Sequence, residues 1–339
     1  MSHVVLIANP ISASVLGIGA DALAVELTHQ LQARGDHTVD VFETESRDGG
    51  AAAARDAVVA QADLVVVAGG DATVRTVAEG LAGSGIPMAV VPMGAGNLLA
   101  RNLGIPLDPV TAITAGLDGD DVRLDLGRLD DGAGSFAVMA GIGADAAVVQ
   151  SLQPSTRSGT GWPGYTLARA ASVRSRGFGV EVSLDGRPAL RRRAVSVLIG
   201  NVGRLRSEAL LPAADPAPGA LDVCVLAPRT TGQRVRAAAR FLLRRPAAVE
   251  DDRWERWQAR SVLVRAAERQ PRQLDGEPIA SSSALDASVV PGAVLVRVPA
   301  GTARQPYDVV DLTHGLPAAV DAGQRVGGQT ATDGGTLGA

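Results

Sequence analysis

Short apolar runs alternate with segments of helical period from the N-terminus to about Leu117. His3–Ala8, Thr38–Phe42, Leu64–Ala68 and Met88–Val91 have the length and composition of buried strands. Between them, Leu23, Leu27 and Leu31 repeat at helical spacing within Gly19–Ala33, and Gly50–Ala60 reads as an alanine-rich helix. Leu107–Gly116 adds a short helix, with Asp108 placed to cap it and Pro109 in its first turn. Strands alternating with helices predict an α/β domain with a parallel sheet that takes ligands at the carboxyl ends of its strands. The texture changes near Asp121. Strand-like runs then dominate: Val122–Leu129, Ser135–Ala140, Gly179–Leu184, Ala194–Gly200, Leu221–Leu226, Ser261–Ala266 and Ala293–Val298. Helical segments interrupt them at Ala144–Leu152, Trp162–Arg174 and Thr231–Arg244. The pattern predicts an α/β N-terminal domain over residues 1–120 and a β-rich C-terminal domain of mostly antiparallel sheet over 121–300. Residues 301–339, rich in Gly, Thr, Asp and Gln, are expected to form a mostly disordered tail.

Composition narrows the function classes. The net charge of −4 gives no general attraction to nucleic acid, and none is expected as a partner. All 32 basic residues are arginine, so any cation that meets a phosphate brings a planar fork of donors. Cys224 is the single cysteine, and His3, His29, His37 and His314 show no metal-ligand spacing. A disulfide framework, a histidine metal centre and a Ser-His-Asp hydrolase are therefore disfavoured. No apolar run approaches the ~18 residues of a spanning helix and no signal peptide is visible, so a cytoplasmic protein is expected.

Two turns carry candidate chemistry. The strand Leu64–Ala68 stops on Gly69-Gly70-Asp71-Ala72-Thr73 and a helix-prone segment follows. The strand Met88–Val91 runs into Pro92-Met93-Gly94-Ala95-Gly96-Asn97, again ahead of a short helix. Strand, glycine turn and helix put main-chain N–H groups at a helix N-terminus, where a phosphate can sit. A single turn of this kind also reads as an ordinary capped helix, with Asp71 and Thr73 as the capping side chains. Two on neighbouring strands read as the lips of a nucleotide site, in which Gly70 admits a phosphate and Asp71 faces the transferring group. Asn97 is a candidate for a phosphate or ribose contact. Thr231–Arg245 sets five arginines beside an apolar face; a solvated helix packed on the core is the simpler reading of it.

These turns, together with Ala100-Arg101 and Gly104-Ile105-Pro106, resemble the diacylglycerol kinase catalytic-domain family, which includes sphingosine kinases and bacterial lipid kinases. Further motifs follow in family order: Asn9-Pro10-x-Ser12, Ala140–Ala146, Gly200-Asn201, Gly219-Ala220-Leu221-Asp222 and Leu274-Asp275-Gly276-Glu277. The similarity runs from about Val4 to Val298. It implies a Rossmann-like nucleotide domain, a sandwich-like lipid domain and a cleft between them, with ATP and Mg²⁺ as cofactors. The nucleotide residues would be Asn9, Pro10, Ser12, Gly69, Gly70, Asp71, Thr73, Gly94, Ala95 and Asn97. Asp71, Asp275 and Glu277 would be catalytic, with Asp275 and Glu277 also holding the metal. Taken alone, Asp275-Gly276 reads as a hairpin turn. The implied partner is a lipid at a membrane surface, met peripherally at the inner face, and a homodimer is left open.

The chain departs from the family pattern in places. Alanine stands for glycine at Ala13 and Ala72, which would be strained only at positive φ. Arg75 and Thr76 replace an Asn-Glu pair, with Arg75 available as a phosphate cation. Leu98 replaces an Asp, and Ala217-Pro218 replace the acidic residues that many bacterial members carry before Gly219, so a structural metal is not expected at that loop. The expected function is an ATP-dependent lipid kinase acting on a diacylglycerol-like or sphingoid-like hydroxyl. The alternatives are a soluble-substrate kinase of the NAD kinase type and a nucleotide- or lipid-binding protein that has lost catalysis.

Overall fold

The structure is a computed structural model that describes residues 2–15, 19–35, 37–44, 48–151, 177–201, 204–205, 208–209, 219–227 and 254–302. The helices expected at 162–174 and 231–245, the 217–218 loop and the tail beyond 302 lie outside the described residues.

The N-terminal part is built from β1 (Ser2–Ala8), β2 (His37–Glu43), β3 (Leu64–Gly69) and β4 (Pro87–Pro92). These strands run parallel in the order β2-β1-β3-β4. All six residues of β3 are buried, as expected for a parallel strand covered on both faces and rich in valine. The helices between them are α1 (Pro10–Val15), α2 (Ala20–Gln32), α3 (Ala51–Val59) and α4 (Asp71–Leu81), and α5 (Leu98–Asn102) and α6 (Pro109–Asp118) follow β4. Leu23, Leu27 and Leu31 form the buried stripe of α2. Asp108 caps α6 by accepting from the Thr111 N–H at 2.9 Å.

The C-terminal part is β-rich. It contains β5 (Asp120–Leu129), β6 (Ser135–Phe136), β7 (Met139–Gly143), α7 (Ala144–Ser151), β8 (Phe178–Leu184), β9 (Leu190–Ala194) and β10 (Ser196–Gly200). The short pair β11 (Arg204–Leu205) and β12 (Glu208–Ala209) is followed by β13 (Leu221–Leu226), β14 (Trp254–Ala259), β15 (Ser261–Leu274) and β16 (Glu277–Val298). The strands of this part pair antiparallel. Two main apolar clusters serve the two parts, one around Ile7, Val67 and Leu81 and the other around Phe136, Ile142 and Val223.

The long strand β16 joins the two. Its first part pairs with β15, and Leu295–Arg297 lie parallel against Pro87–Ala89 of β4. The strand expected over Ala293–Val298 thus closes the edge of the N-terminal sheet, so one run of hydrogen-bonded strands crosses both parts. The pairing with β5 shifts register between Val290 and Val294, where Pro291 removes a donor and Gly292 takes φ +56. The Asp125 carboxylate braces this bulge, accepting from the N–H of Gly292 at 2.8 Å and of Gly219 at 2.7 Å.

Candidate active site

The strand order reverses between β1 and β3, and a parallel sheet opens its ligand crevice at such a point, outside the carboxyl ends of the strands. Three turns emerge there, after β1, β3 and β4. Side chains tie them together. Asn9, after β1, accepts from the N–H groups of Ile11 and Ser12 at 3.0 and 3.2 Å and so caps α1, in which Pro10 is the first residue. Its amide also donates to Thr73 Oγ1 on α4 at 2.9 Å. Asp71 Oδ1 crosses to the next turn and accepts from the N–H of Leu98 at 2.7 Å and of Leu99 at 3.3 Å, capping α5. The Asn97 side chain closes its own loop, accepting from the Gly94 N–H at 2.8 Å and donating to the Gly94 carbonyl at 2.7 Å. Asn97 holds φ +49, a left-handed conformation that asparagine tolerates.

The glycines serve this contact between turns. A Cβ on Gly94 would lie 2.6 Å from Gly70 Cα, and one on Gly96 would lie 2.8 Å from Asp71 Oδ2. Neither Gly70 nor Gly94 has a positive φ, so close approach rather than backbone freedom requires glycine here. Gly94→Ala is expected to push the turns apart and cost about 1–3 kcal/mol, read as a fall in the melting temperature of the purified chain. Ala72 lies inside α4 without positive φ, so the alanine is unstrained. Leu98 is buried in the apolar cluster, where an unpaired carboxylate would be costly.

The three helix starts are thereby unequal. Asn9 caps α1 and Asp71 caps α5, whereas α4 begins after Gly70, which has no side chain to offer. The first N–H groups of α4 are the ones suited to an external anion. Gly94, expected as a phosphate donor, gives its N–H to Asn97 instead, and the Asn97 amide is held by Gly94 rather than directed at a ligand.

The second part of the chain returns to this rim through the β15–β16 hairpin. Asp275 and Gly276 form its two-residue turn at φ +47 and +82, between the paired Leu274 and Glu277. This is the primed turn that Asp-Gly favours. Its side chain does more than turn the chain. Asp275 Oδ2 accepts from the Ala137 N–H at 2.9 Å, and Oδ1 accepts from Val138 and Met139 at 2.9 and 2.7 Å. Its side chain is fully buried, with Arg75 Nε of α4 at 3.9 Å from Oδ2. Asp275, expected among the metal ligands and bases, is therefore an anchor for residues 137–139. Glu277, beside it, is partly exposed.

Burial, and next the neighbouring Asp275 carboxylate, push the Asp71 carboxyl up to about 6, against the opposing N–H groups of Leu99, Leu98 and Asn97. Asp71 is poised between acid and base near neutral pH, as a group accepting a hydroxyl proton needs to be. Burial also raises Asp275, opposed first by Arg75 and then by the three amides.

Comparison with known proteins places these features in a family. The model of the diacylglycerol kinase catalytic domain matches residues 3–129, and that of the YegS C-terminal NAD kinase beta sandwich-like domain matches residues 137–298. A diacylglycerol kinase of Mycobacterium tuberculosis is 30% identical over 240 residues, covering 66% of this chain and 72% of its own. The chain belongs to the diacylglycerol kinase catalytic-domain family. The protein named "Probable lipid kinase YegS-like" of Pseudomonas aeruginosa is 32% identical over 257 residues, covering 73% of this chain and 80% of its own. The crystal structure of a diacylglycerol kinase of Bacillus anthracis str. Sterne shares the fold, with a TM-score of 0.66 at 19% identity over 88% of this chain and 97% of that one. This family membership makes the chain a phosphotransferase acting on a hydroxyl, and kinase chemistry implies ATP as donor. Among the described residues no helix is long and apolar enough to cross a membrane.

Sequence reasoning missed the part played by the α4–β6 contact. Glu79 accepts from Ser135 Oγ at 3.1 Å, and Arg75 Nη1 reaches the Ser135 carbonyl at 3.4 Å. The helical spacing of Asp71, Arg75 and Glu79, four residues apart on one face, was the available signal.

Proposed function

We propose that this chain transfers the γ-phosphoryl group of ATP to a hydroxyl of a membrane lipid of diacylglycerol or sphingoid type, met peripherally at the membrane surface. The observation that carries the reading is Asp71: a carboxyl with a pKa pushed up to about 6, at the uncapped start of α4, facing the returning Asp275 hairpin. In this reading the first N–H groups of α4 hold the nucleotide phosphates. Asn9, Pro10, Ser12 and Thr73 shape the β1 side of the crevice, and Gly69, Gly70, Gly94, Ala95 and Asn97 shape the β4 side. Asp71 orients the acceptor hydroxyl and takes its proton. Asp275 fixes residues 137–139 against that site.

Mg²⁺ fits the site in the form it takes with nucleotides, bound by one or two carboxylates and the substrate phosphates rather than by a protein cage. Among the described residues no group of three His, Cys, Asp or Glu side chains could hold a metal. The partly exposed Glu277 would hold it, and Asp275 would not, because its oxygens are engaged by three amides. The ion would neutralise charge on the phosphates.

The test is incubation of the full chain with γ-labelled ATP and a total lipid extract, with NAD as a parallel acceptor. Label in a lipid phosphomonoester supports the reading and names the lipid; label in NADP, or in neither acceptor, overturns it. A pH series on the same assay is informative. Since Asp71 acts deprotonated, kcat/KM is expected to fall about tenfold per pH unit below a pKa near 6. A flat profile from pH 5 to 8 would remove Asp71 as the base.

A further inference from the structure

We propose that Arg75 grips the terminal phosphate of the nucleotide and is a catalytic residue of this chain. The proposal rests on the phosphotransfer reading of the site.

The first observation is how loosely Arg75 is held. Its Nε is buried and has no hydrogen-bond partner. It stands 3.9 Å from Asp275 Oδ2, beyond hydrogen-bond length, and Nη1 makes one long contact of 3.4 Å with the Ser135 carbonyl. Arginines that serve as ion-pair struts in this chain look different. Arg192 Nε lies 2.8 and 2.7 Å from the two oxygens of Glu255, and Arg297 Nε lies 2.8 Å from Asp121. Asp275 cannot close on Arg75, because three main-chain amides fix its carboxylate. Arg75 is thus a partly buried cation, its side chain 16% exposed, with a planar fork of donors that the fold leaves under-used. Such a fork suits bidentate contact with phosphate oxygens.

The second observation is its address. Arg75 follows Asp71 by four residues on α4, so both project from one face of the helix toward the Asp275 hairpin. A base must lie within hydrogen-bond reach of the acceptor hydroxyl, and that oxygen must lie about 3–3.5 Å from the phosphorus it attacks. A donor fork one helical turn beyond the base therefore meets the transferring phosphoryl rather than the nucleoside. In the step itself the acceptor oxygen bonds to the γ-phosphorus, and the bond from that phosphorus to the β,γ-bridging oxygen breaks. ADP keeps that electron pair, and the acceptor proton passes to Asp71. Arg75 stabilises the equatorial oxygens as charge spreads over them.

The experiment measures binding of AMP-PNP and of ADP, with magnesium, to the full-length wild type, Arg75→Ala and Arg75→Lys, beside kcat at saturating ATP. Arg75→Ala is expected to weaken AMP-PNP about tenfold or more, leave ADP within about twofold, and lower kcat by about 10²-fold or more. Arg75→Lys keeps the charge and stem without the fork and is expected to fall between, which covers the case in which the alanine variant does not fold. An equal effect on AMP-PNP and ADP, or none on either, overturns the proposal. If AMP-PNP and ADP are separated as expected while no lipid takes label, the role of Arg75 stands and the choice of lipid acceptor falls.

Discussion

Asp71→Asn is expected to abolish lipid phosphorylation while leaving the fold at least as stable as the wild type. The two halves of this expectation have separate causes. Asparagine has no pKa in the working range, so it can orient a hydroxyl but cannot take its proton, and general-base assistance of this kind contributes about 10²–10⁴-fold. Structurally, the Asn Oδ1 can still accept from Leu98 and Leu99, so α5 keeps its cap. The sign of the stability change follows from the raised pKa. With a folded value of about 6 above an ordinary value of 3.8, the folded chain holds a proton that the unfolded chain has released. Stability linked to Asp71 is then fully present below the unfolded value and is lost as pH rises through about 6. At neutral pH the ionised Asp71 is a burden, and a neutral isostere relieves on the order of 1–2 kcal/mol after allowance for its part exposure. Thermal melting at pH 7.5 beside a turnover assay checks both halves. An inactive variant that also melts earlier would point to a collapsed rim rather than a missing base.

Asp275→Ala is expected to have the largest effect on stability, about 3–5 kcal/mol. Removing the carboxylate leaves the N–H groups of Ala137, Val138 and Met139 without their acceptor in a buried setting, and it takes away the carboxylate that stands 3.9 Å from Arg75 Nε. Asp275→Asn should fall well short of that, because one amide oxygen can still accept while the NH₂ group opposes the remaining donors and Arg75. Denaturant midpoints of the two variants measure the difference. Equal, small losses would show that the carboxylate is not the anchor of residues 137–139. Asp275 itself holds φ +47, which asparagine tolerates and alanine does not, so strain in the turn adds to the alanine loss alone.

Much of this architecture is legible in the residues. The β-branched run Val65–Val67 and the Gly69-Gly70-Asp71 stop fix a buried parallel strand and the helix start after it, because a 3.6-residue period cannot begin earlier. The Leu23, Leu27, Leu31 stripe fixes α2 for the same reason. Neighbourhood across the sheet is less legible. No local pattern says that β1 lies between β2 and β3, so the crevice appears from sequence as two glycine lips, although Asn9 and Thr73 form its third side. The end of β16 reads as part of the second domain, yet its residues Leu295–Arg297 complete the first sheet, a pairing that spans some two hundred positions in sequence. The roles of Asn97, Gly94 and Asp275 were hidden by identity of residue type. A side chain that binds a ligand and one that binds its own main chain have the same letters, and only distance separates them. Asp275-Gly276 shows that a hairpin turn and a site residue can be the same dipeptide.

The central claim is that Asp71, on a rim of three tied turns, carries phosphoryl transfer to a lipid hydroxyl. Its most direct test is a side-by-side incubation of folded wild type and Asp71→Asn with γ-labelled ATP and a total lipid extract, followed by counting the organic phase. Label in a lipid phosphomonoester with the wild type, and none with the variant, is the predicted result. Lipid labelling that survives the substitution, or wild-type label that stays entirely in water, would contradict it.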